Sequence, residues 1–472
     1  MQNRLWRALC ATTALLLAGC ATFEMPDWAG APYQRDHRVL PGPDEPTRDA
    51  SAKSEADPAA DPTGALALRE AMALALMRSP GLRAYGWDVR RAEALALQAG
   101  LWPNPELDVE FENFAGSDAF SGTDSLETTV SLAQTFPLGG DIARRRELAG
   151  YKTELAGWDY EAARLGVLTE VTRRYIAVLA ANRRIEAARD ALQLAQQVLT
   201  TAEKRIDAGD APPIEAARAS VPVATTRITL KRAERDFESA NKRLSLTWGA
   251  SRPTFDSLTG SLDELVPPPA AEQLIALINE NPSVARWSTE ISARRAERRL
   301  AEAEAVPDLT GRIGVRDDQA EDAQALVVGI SLPLTIFDRR QGDILEARLG
   351  VTSARRRQRE AELRIESMLA EAYARLVNAY DEATALRDIA LPPATEAFDL
   401  TRRAFENGDL TFLDVLDAER TLVELRTRYV AALDAYHTAA ADIEGLIARP
   451  LAELADVEPP SPEPTQTESV QE

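Results

Sequence analysis

The chain has 472 residues, with 54 Lys and Arg against 75 Asp and Glu, and a formal net charge of −21. That balance excludes non-specific nucleic-acid binding as a main function, because affinity for phosphate requires a cationic surface. Two cysteines and two histidines leave little material for a thiolate or imidazole metal site. No run of 18 apolar residues occurs, so the sequence predicts no transmembrane helix.

The first twenty residues predict an export signal. Arg4 and Arg7 precede an apolar core that is too short to span a bilayer. The segment ends in Leu17-Ala18-Gly19-Cys20, which resembles a bacterial lipobox. The resemblance implies cleavage before Cys20, a covalent lipid on that residue and sorting to the outer membrane. The alternative is an ordinary signal peptide with a chance cysteine, and no cofactor beyond this lipid is predicted.

The chain contains an internal repeat. Ser79-Pro80 matches Asn281-Pro282 at an offset of 202, and Ala208-Gly209-Asp210 matches Asn407-Gly408-Asp409 at an offset of 199. A fixed offset of this kind indicates two copies of one structural unit. The predicted divisions are a signal peptide (1–19), an acylated N-terminal segment (20–64), repeat 1 (65–249), a Pro- and Ser-rich linker (250–269), repeat 2 (270–449) and an acidic, disordered tail (450–472).

Each repeat predicts a helix, a β-hairpin, a long helix, a turn and a further helix. The hairpins fall at about 105–136 and 307–335, and the turns at 208–210 and 407–409. Residues 141–207 contain no proline and would form a helix of roughly 100 Å at 1.5 Å per residue. Such a helix exceeds any globular core, and its apolar 3,4 spacing is typical of a coiled coil.

The four predicted strands alternate between an apolar and a polar face, and each is about ten residues long, as a tilted membrane strand should be. A soluble sandwich could show the same alternation. Four strands cannot close a barrel in lipid, so several copies must pool their strands. The predicted lipid-facing residues are Leu107, Val109, Phe111, Val130, Leu132, Ile313, Val315, Leu326, Val328, Ile330 and Leu332. The charged residues of the other face, predicted to face the lumen, are Asp108, Glu110, Glu112, Arg312 and Arg316.

This order of elements, given twice, resembles the TolC family of outer-membrane efflux ducts. The matching stretches include SPGLRAY, GLWPNPELDVEFEN, TFPLGG and AFENGDLTFLDVLDAERTL. The stretch from Asn104 to Asn113, followed by Leu138-Gly139-Gly140, is similar to the heavy-metal branch of CzcC and CusC type. Pro137 stands where that branch usually has a glutamate.

The resemblance implies a mainly α-helical fold with a transmembrane β part. Three protomers would form a 12-stranded β-barrel that continues into a long periplasmic α-helical barrel, with the linker in an equatorial belt. The implied partners are a periplasmic adaptor and an inner-membrane pump of RND type, and the implied function is a passive exit duct, here for heavy-metal cations. Alternatives are a duct for drugs and small molecules, a duct for type I protein secretion, and a structural coiled-coil lipoprotein without a pore.

Asp414 and Asp417 are the pair of residues that gives the most specific hypothesis about the functional site. They stand three apart, on one helix face, just after the second predicted turn. In the family, the matching aspartates line the constricted periplasmic mouth, and rings of carboxylates select cations. The alternative is a first-turn acid that complements the helix N-terminus, which Asp414 alone would satisfy. We expect Leu413 and Leu416 on the packed side of this helix.

The two predicted turns place Gly209, Asp210, Gly408 and Asp409 at the tips of helical hairpins. Glycine permits the left-handed conformation that ends a helix. The resemblance adds contact with the hairpin tips of the adaptor. The family often has a basic residue two places after the second turn glycine, where this sequence has Leu410.

No HExxH, Walker, GxSxG or CxxC pattern occurs, so the sequence does not predict an enzyme. His37 and His437 have no cysteine or second histidine nearby, and we expect structural roles for both. The acids of the polar strand face and of the loops at 113–125 and 316–325 predict a negative lumen that concentrates cations. The alternative is a general acidity that serves solubility.

Overall fold

The structure is a computed structural model that describes residues 61–455. Cys20, the export signal and His37 lie outside the described residues. Within the described range, helices dominate and the strands form two small sheets. The predicted fold class is confirmed, since the described chain is mainly helical and each of its two repeats contains one β-hairpin.

The elements of the first repeat are a short strand, two helices, a hairpin and two long helices. The segment between the two repeats carries one further strand. In chain order these elements are β1 (Gly64–Leu66), α1 (Leu68–Arg78), α2 (Pro80–Ala99), β2 (Glu106–Glu112), β3 (Glu127–Phe136), α3 (Asp141–Asp207), α4 (Ile214–Leu246) and β4 (Phe255–Leu258).

The second repeat has the same order. Its elements are α5 (Ala271–Ala276), α6 (Pro282–Ala303), β5 (Leu309–Asp318), β6 (Ala323–Ser331), α7 (Gln341–Ala385), α8 (Leu391–Asn407) and α9 (Phe412–Ile447), followed by α10 (Ala452–Ala455). A π-helical turn at Leu386–Ala390 separates α7 from α8. Two prolines, Pro392 and Pro393, follow this turn, and proline removes a backbone donor from the helix.

Matching helix starts reflect the repeated sequence. Ser79 precedes Pro80 at the start of α2, and its Oγ accepts a hydrogen bond from the Leu82 amide at 3.4 Å. Asn281 precedes Pro282 at the start of α6, and its Oδ1 accepts from the Ser283 amide at 2.8 Å. Proline suits the first helical position, since its missing N–H would have no partner there.

The four hairpin strands form one antiparallel sheet in the order β2-β3-β5-β6. Val130 lies opposite both Val109 and Val315, and Leu132 lies opposite both Leu107 and Ile313. Directly opposed residues project to the same face, so the register gathers the apolar positions of all four strands on one side. Strand β2 has only 7 residues, shorter than the ten expected. Leu332 lies one residue beyond the end of β6.

The helices pack as a long bundle around α3, which contacts α1, α2, α4, α6 and α9. Separate apolar clusters lie along its length, so no single globular core exists in the described range. None of the helices described between residues 61 and 455 is long and apolar enough to cross a membrane.

Two segments that the sequence predicts to be irregular contain regular secondary structure. Strand β4, within the linker, pairs in parallel with β1. The first residues of the tail form α10, so the expectation of disorder is wrong for residues 450–455. Leu451 and Leu454 pack against the cluster around Ile443, and the Leu451 amide donates to Glu444 Oε1 at 2.9 Å. Residues 456–472 lie outside the described range.

Candidate pore wall and helical tip

The apolar face of the four-stranded sheet is exposed. Its side chains range from Val130 at 38% exposed to Ile330 at 76%, and Leu326 reaches 70%. On the opposite face, Thr129 and Ser131 are only 4% and 3% exposed. In a soluble sandwich the apolar face of the sheet is buried, whereas here the apolar face is exposed and residues of the polar face are buried. This arrangement suits a sheet whose apolar face contacts lipid.

The polar face carries cross-strand ion pairs. Arg312 Nη2 lies 3.1 Å from Asp108 Oδ2. Arg316 Nη1 lies 2.9 Å from Glu127 Oε2, and its Nη2 lies 3.5 Å from Glu112 Oε2. Two arginines therefore neutralise part of the acidic face, so the negative charge expected of this face is smaller than its acids alone suggest.

Glu110 lies on the same face between these pairs, opposite Thr129. Its side chain is exposed. Among the three acids predicted to face the lumen, Glu110 is the one without an arginine partner within residues 61–455.

The two helical turns share one hydrogen-bond pattern. In the first, Gly209 has φ +83° and the Asp210 amide donates to the Arg205 carbonyl at 2.8 Å. In the second, Gly408 has φ +85° and the Asp409 amide donates to the Ala404 carbonyl at 2.9 Å. Both turns are exposed at the same end of the bundle, where a partner could reach them.

Arg205 joins the two turns, a role the sequence did not suggest. Its Nη1 donates to the carbonyl of Phe405 at 3.1 Å, and its Nη2 donates to the carbonyl of Asp210 at 3.4 Å. The guanidinium also lies 4.5 Å from the centre of the Phe405 ring. An arginine four residues before a turn glycine was the available signal, but only the packing of α3 beside α8 reveals its partner.

Asp414 and Asp417 are both exposed on α9. Their three-residue spacing places them on one side of the helix. Asp414 also closes a capping box with Thr411. Its Oδ2 accepts from the Thr411 amide at 2.9 Å and from the Thr411 hydroxyl at 2.6 Å. These hydrogen bonds hold the pKa of Asp414 below its ordinary value. The first-turn role that was the alternative for Asp414 is therefore present in the structure.

The packed side of α9 differs from the expectation. Leu413 is 60% exposed, so its assignment to that side is wrong, whereas Leu416 is partly buried. The buried face consists of Phe412, Val415, Glu419 and Leu422. The error arose because spacing alone does not reveal which of two adjacent stripes faces the neighbouring helices.

Glu419 is a second residue that sequence reasoning missed. It is 5% exposed, and its Oε2 has no hydrogen-bond partner in the described structure. Burial raises its pKa to about 7. An acid at a helix position that continues an apolar stripe was the available signal.

Within residues 61–455, no three acidic, cysteine or histidine side chains converge in a way that could hold a metal ion. His437 has a structural contact, since its Nε2 lies 2.9 Å from the Leu262 carbonyl. Burial lowers the pKa of His437.

The chain belongs to the outer membrane efflux protein family, whose pattern matches residues 71–250 and 275–449. These two matched segments correspond to the two structural repeats. The class of protein is therefore an outer-membrane efflux channel component, and the resemblance drawn from the sequence is confirmed. The fold is shared by solved outer-membrane channels, among them OprN.

Two proteins and one solved structure are similar to this chain over most of its length. The cobalt-zinc-cadmium resistance protein CzcC of Cupriavidus metallidurans is 30% identical over 386 residues, which cover 82% of this chain and 91% of CzcC. The pyoverdine export outer membrane protein OpmQ of Pseudomonas aeruginosa is 27% identical, over 76% of this chain and 80% of OpmQ. A crystal structure of CusC superposes with a TM-score of 0.69 at 18% identity, covering 80% of this chain and 91% of that chain.

Proposed function

We propose that this protein is the exit duct for heavy-metal cations in a tripartite efflux system. An inner-membrane pump of RND type and a periplasmic adaptor would deliver the cations, and the duct would pass them outward passively. The similarity to CzcC over 91% of that protein's length carries this proposal.

The proposed cation path begins at the helical tip. In a trimer, Asp414 and Asp417 would form two rings of three carboxylates at the periplasmic mouth, and such rings favour cations. Further along, Glu110 would line the barrel wall between the arginine-neutralised acids. The exposed turn residues Gly209, Asp210, Gly408 and Asp409 would contact the adaptor.

The test of substrate class is genetic. A strain lacking this protein should become more sensitive to cobalt, zinc or cadmium, and the intact chain should restore resistance. Unchanged metal resistance together with loss of siderophore or drug export would contradict the proposal. That outcome would support the second candidate, a small-molecule duct, which the 27% identity to OpmQ favours.

The mouth is tested separately in planar bilayers. Asp414→Asn with Asp417→Asn removes both charges while keeping an oxygen acceptor at the capping position. Block of conductance by multivalent cations from the periplasmic side should weaken, and cation preference should fall. Unchanged block and selectivity in correctly folded channels would show that the two aspartates do not line the constriction.

We also propose that Cys20 carries the lipid that anchors the N-terminus in the outer membrane. Several acyl chains on one residue give stable anchoring, since each buried CH₂ contributes ~0.8 kcal/mol. Cys20→Ser should abolish incorporation of radiolabelled palmitate while trimers still form. Palmitate incorporation into the variant would disprove the lipobox assignment.

A further inference from the structure

A carboxyl group lies inside the apolar packing of the helical tip. Glu419 is 5% exposed, and its Oε2 has no hydrogen-bond partner within residues 61–455. It lies one turn from both Val415 and Leu422 on the buried stripe of α9. That stripe enters an apolar cluster to which α3 contributes Val198 and α8 contributes Phe398. A carboxylate in such a place is costly unless it is paired or neutral.

The charged groups of the neighbouring helices do not neutralise Glu419. The partly buried ones near this end are Arg205 on α3, Glu215 on α4, and Asp399 and Arg402 on α8. Arg205 donates to two backbone carbonyls, and the Arg402 guanidinium lies 2.8 Å from Glu406 Oε1 and 3.8 Å from Asp399 Oδ1. Glu215 is itself an acid whose Oε2 is buried without a hydrogen-bond partner in the described structure. Burial alone therefore raises the pKa of Glu419 to about 7.

We propose that Glu419 is a proton-binding site that couples periplasmic pH to the packing of the end of α9 that carries Asp414 and Asp417. With the proton bound, the neutral carboxyl fits the apolar cluster, and the start of α9 stays packed against α3 and α8. When the proton leaves to water, the carboxylate is stabilised by conformations that expose it, and those conformations separate α9 from its neighbours.

The position of Glu419 connects this packing to the periplasmic mouth. Glu419 follows Asp417 by two residues, so both belong to the same turn of α9, one on its buried side and one on its exposed side. A displacement that brings Glu419 to water therefore also moves the carboxylates of Asp414 and Asp417. The inference rests on the proposed function in one respect, the assignment of this end of the bundle to the mouth of the duct.

Opening of the tip should become more favourable as pH rises, and the effect should level off above neutral pH. An exposed Glu419 has its ordinary pKa of 4.5, whereas the packed one has a pKa of about 7. Ionisation favours the open form between these two values. The population of the open form should rise about ten-fold from pH 6 to pH 8.

The experiment measures the labelling of a buried thiol at the same end of α9. Val415→Cys replaces a residue that is 0% exposed, so a maleimide reaches it only when α9 separates from its neighbours. Leu413→Cys, at 60% exposure on the same helix, corrects for the effect of pH on thiol reactivity. The full-length protein in detergent is labelled at pH 6 and pH 8, with and without Glu419→Gln. The unsubstituted protein gives the labelling background, since Cys10 and Cys20 are the only cysteines.

We expect the labelling rate at position 415, relative to position 413, to rise about ten-fold from pH 6 to pH 8. Glu419→Gln cannot ionise and should abolish the rise, whereas Glu424→Gln, at an exposed position of the same helix, should preserve it. An equal rise with Glu419→Gln would overturn the proposal. A ratio that does not change with pH when Glu419 is present would also overturn it, and this result does not depend on the folding of any Glu419 variant.

Single-channel conductance in planar bilayers connects the packing to the mouth. The open probability should rise with pH on the periplasmic side over the same range, and Glu419→Gln should remove the rise. Labelling that depends on pH without a matching change in open probability would overturn the coupling to the mouth. Failure of the proposed function would be seen separately, as unchanged metal resistance in the strain that lacks the protein, because the labelling ratio does not depend on what the channel carries.

Discussion

Two acidic residues on α9, five positions apart, occupy opposite environments. Asp414 is exposed, and its hydrogen bonds to Thr411 favour the charged form. Glu419 is buried in the stripe between Val415 and Leu422, where burial favours the neutral form. The same kind of side chain therefore serves as a cap at one position and as a proton-sensitive group at the other.

Glu419→Gln should remove a pH dependence of stability. The folded-state pKa of Glu419, about 7, lies above its ordinary value of 4.5, so its contribution to stability is complete at low pH and is lost as pH rises from about 4.5 to 7. The loss should be on the order of 1–3 kcal/mol. Thermal unfolding followed by circular dichroism at pH 5 and pH 8 measures it. Glu424→Gln, at an exposed position of the same helix, is the control. An equal fall in melting temperature for the Glu419→Gln variant and the unaltered protein would disprove this assignment.

Asp414→Ala should destabilise the start of α9, because Thr411 loses the partner of both its amide and its hydroxyl. We expect a melting temperature lower by a few degrees, and a smaller change for Asp414→Asn, which keeps an acceptor. Asp417→Ala should leave the melting temperature unchanged, since Asp417 is exposed and takes no part in the cap. Equal effects of the two alanine substitutions would contradict the capping role.

At the scale of elements, Arg205 couples the α3–α4 turn to the α8–α9 turn. Arg205→Ala removes two hydrogen bonds and a contact with the Phe405 ring. We expect the second turn to open more readily, by about 1–2 kcal/mol. Amide hydrogen exchange at Gly408 and Asp409 should then accelerate about five- to thirty-fold. Arg403→Ala is the control, because Arg403 is an exposed arginine near the same turn. Unchanged exchange in the Arg205→Ala variant would show that the turns are held by helix packing alone.

At the scale of the whole molecule, the segment around α10 packs against the helices of the second repeat. Truncation after Arg449 removes Leu451 and Leu454 from the cluster around Ile443 and leaves Glu444 without its amide donor. We expect a loss of about 1–3 kcal/mol relative to truncation after Ala455, which keeps both leucines. Heat stability of the detergent-extracted protein compares the two. Equal stability of both truncated chains would show that α10 is dispensable.

Much of the architecture could be predicted from local pattern. The offset of 202 located both helix starts at Ser79 and Asn281, and the run without proline at 141–207 coincides with α3. The strand alternation identified the apolar face that the register of β2, β3, β5 and β6 assembles. These features depend on residues close in sequence, where proline, glycine and spacing act directly.

The sequence by itself determined the repeat, the long helices, the hairpins, their apolar face and the family resemblance. Only the tertiary structure decided which carboxylates remain free of partners. Arg312 and Arg316 neutralise acids on other strands, and Glu419 is buried by neighbouring helices. The physical reason is that charge pairing and burial depend on groups distant in sequence, and the pairing of Arg205 with Phe405 spans 200 residues. Spacing along one helix or strand carries no information about such partners.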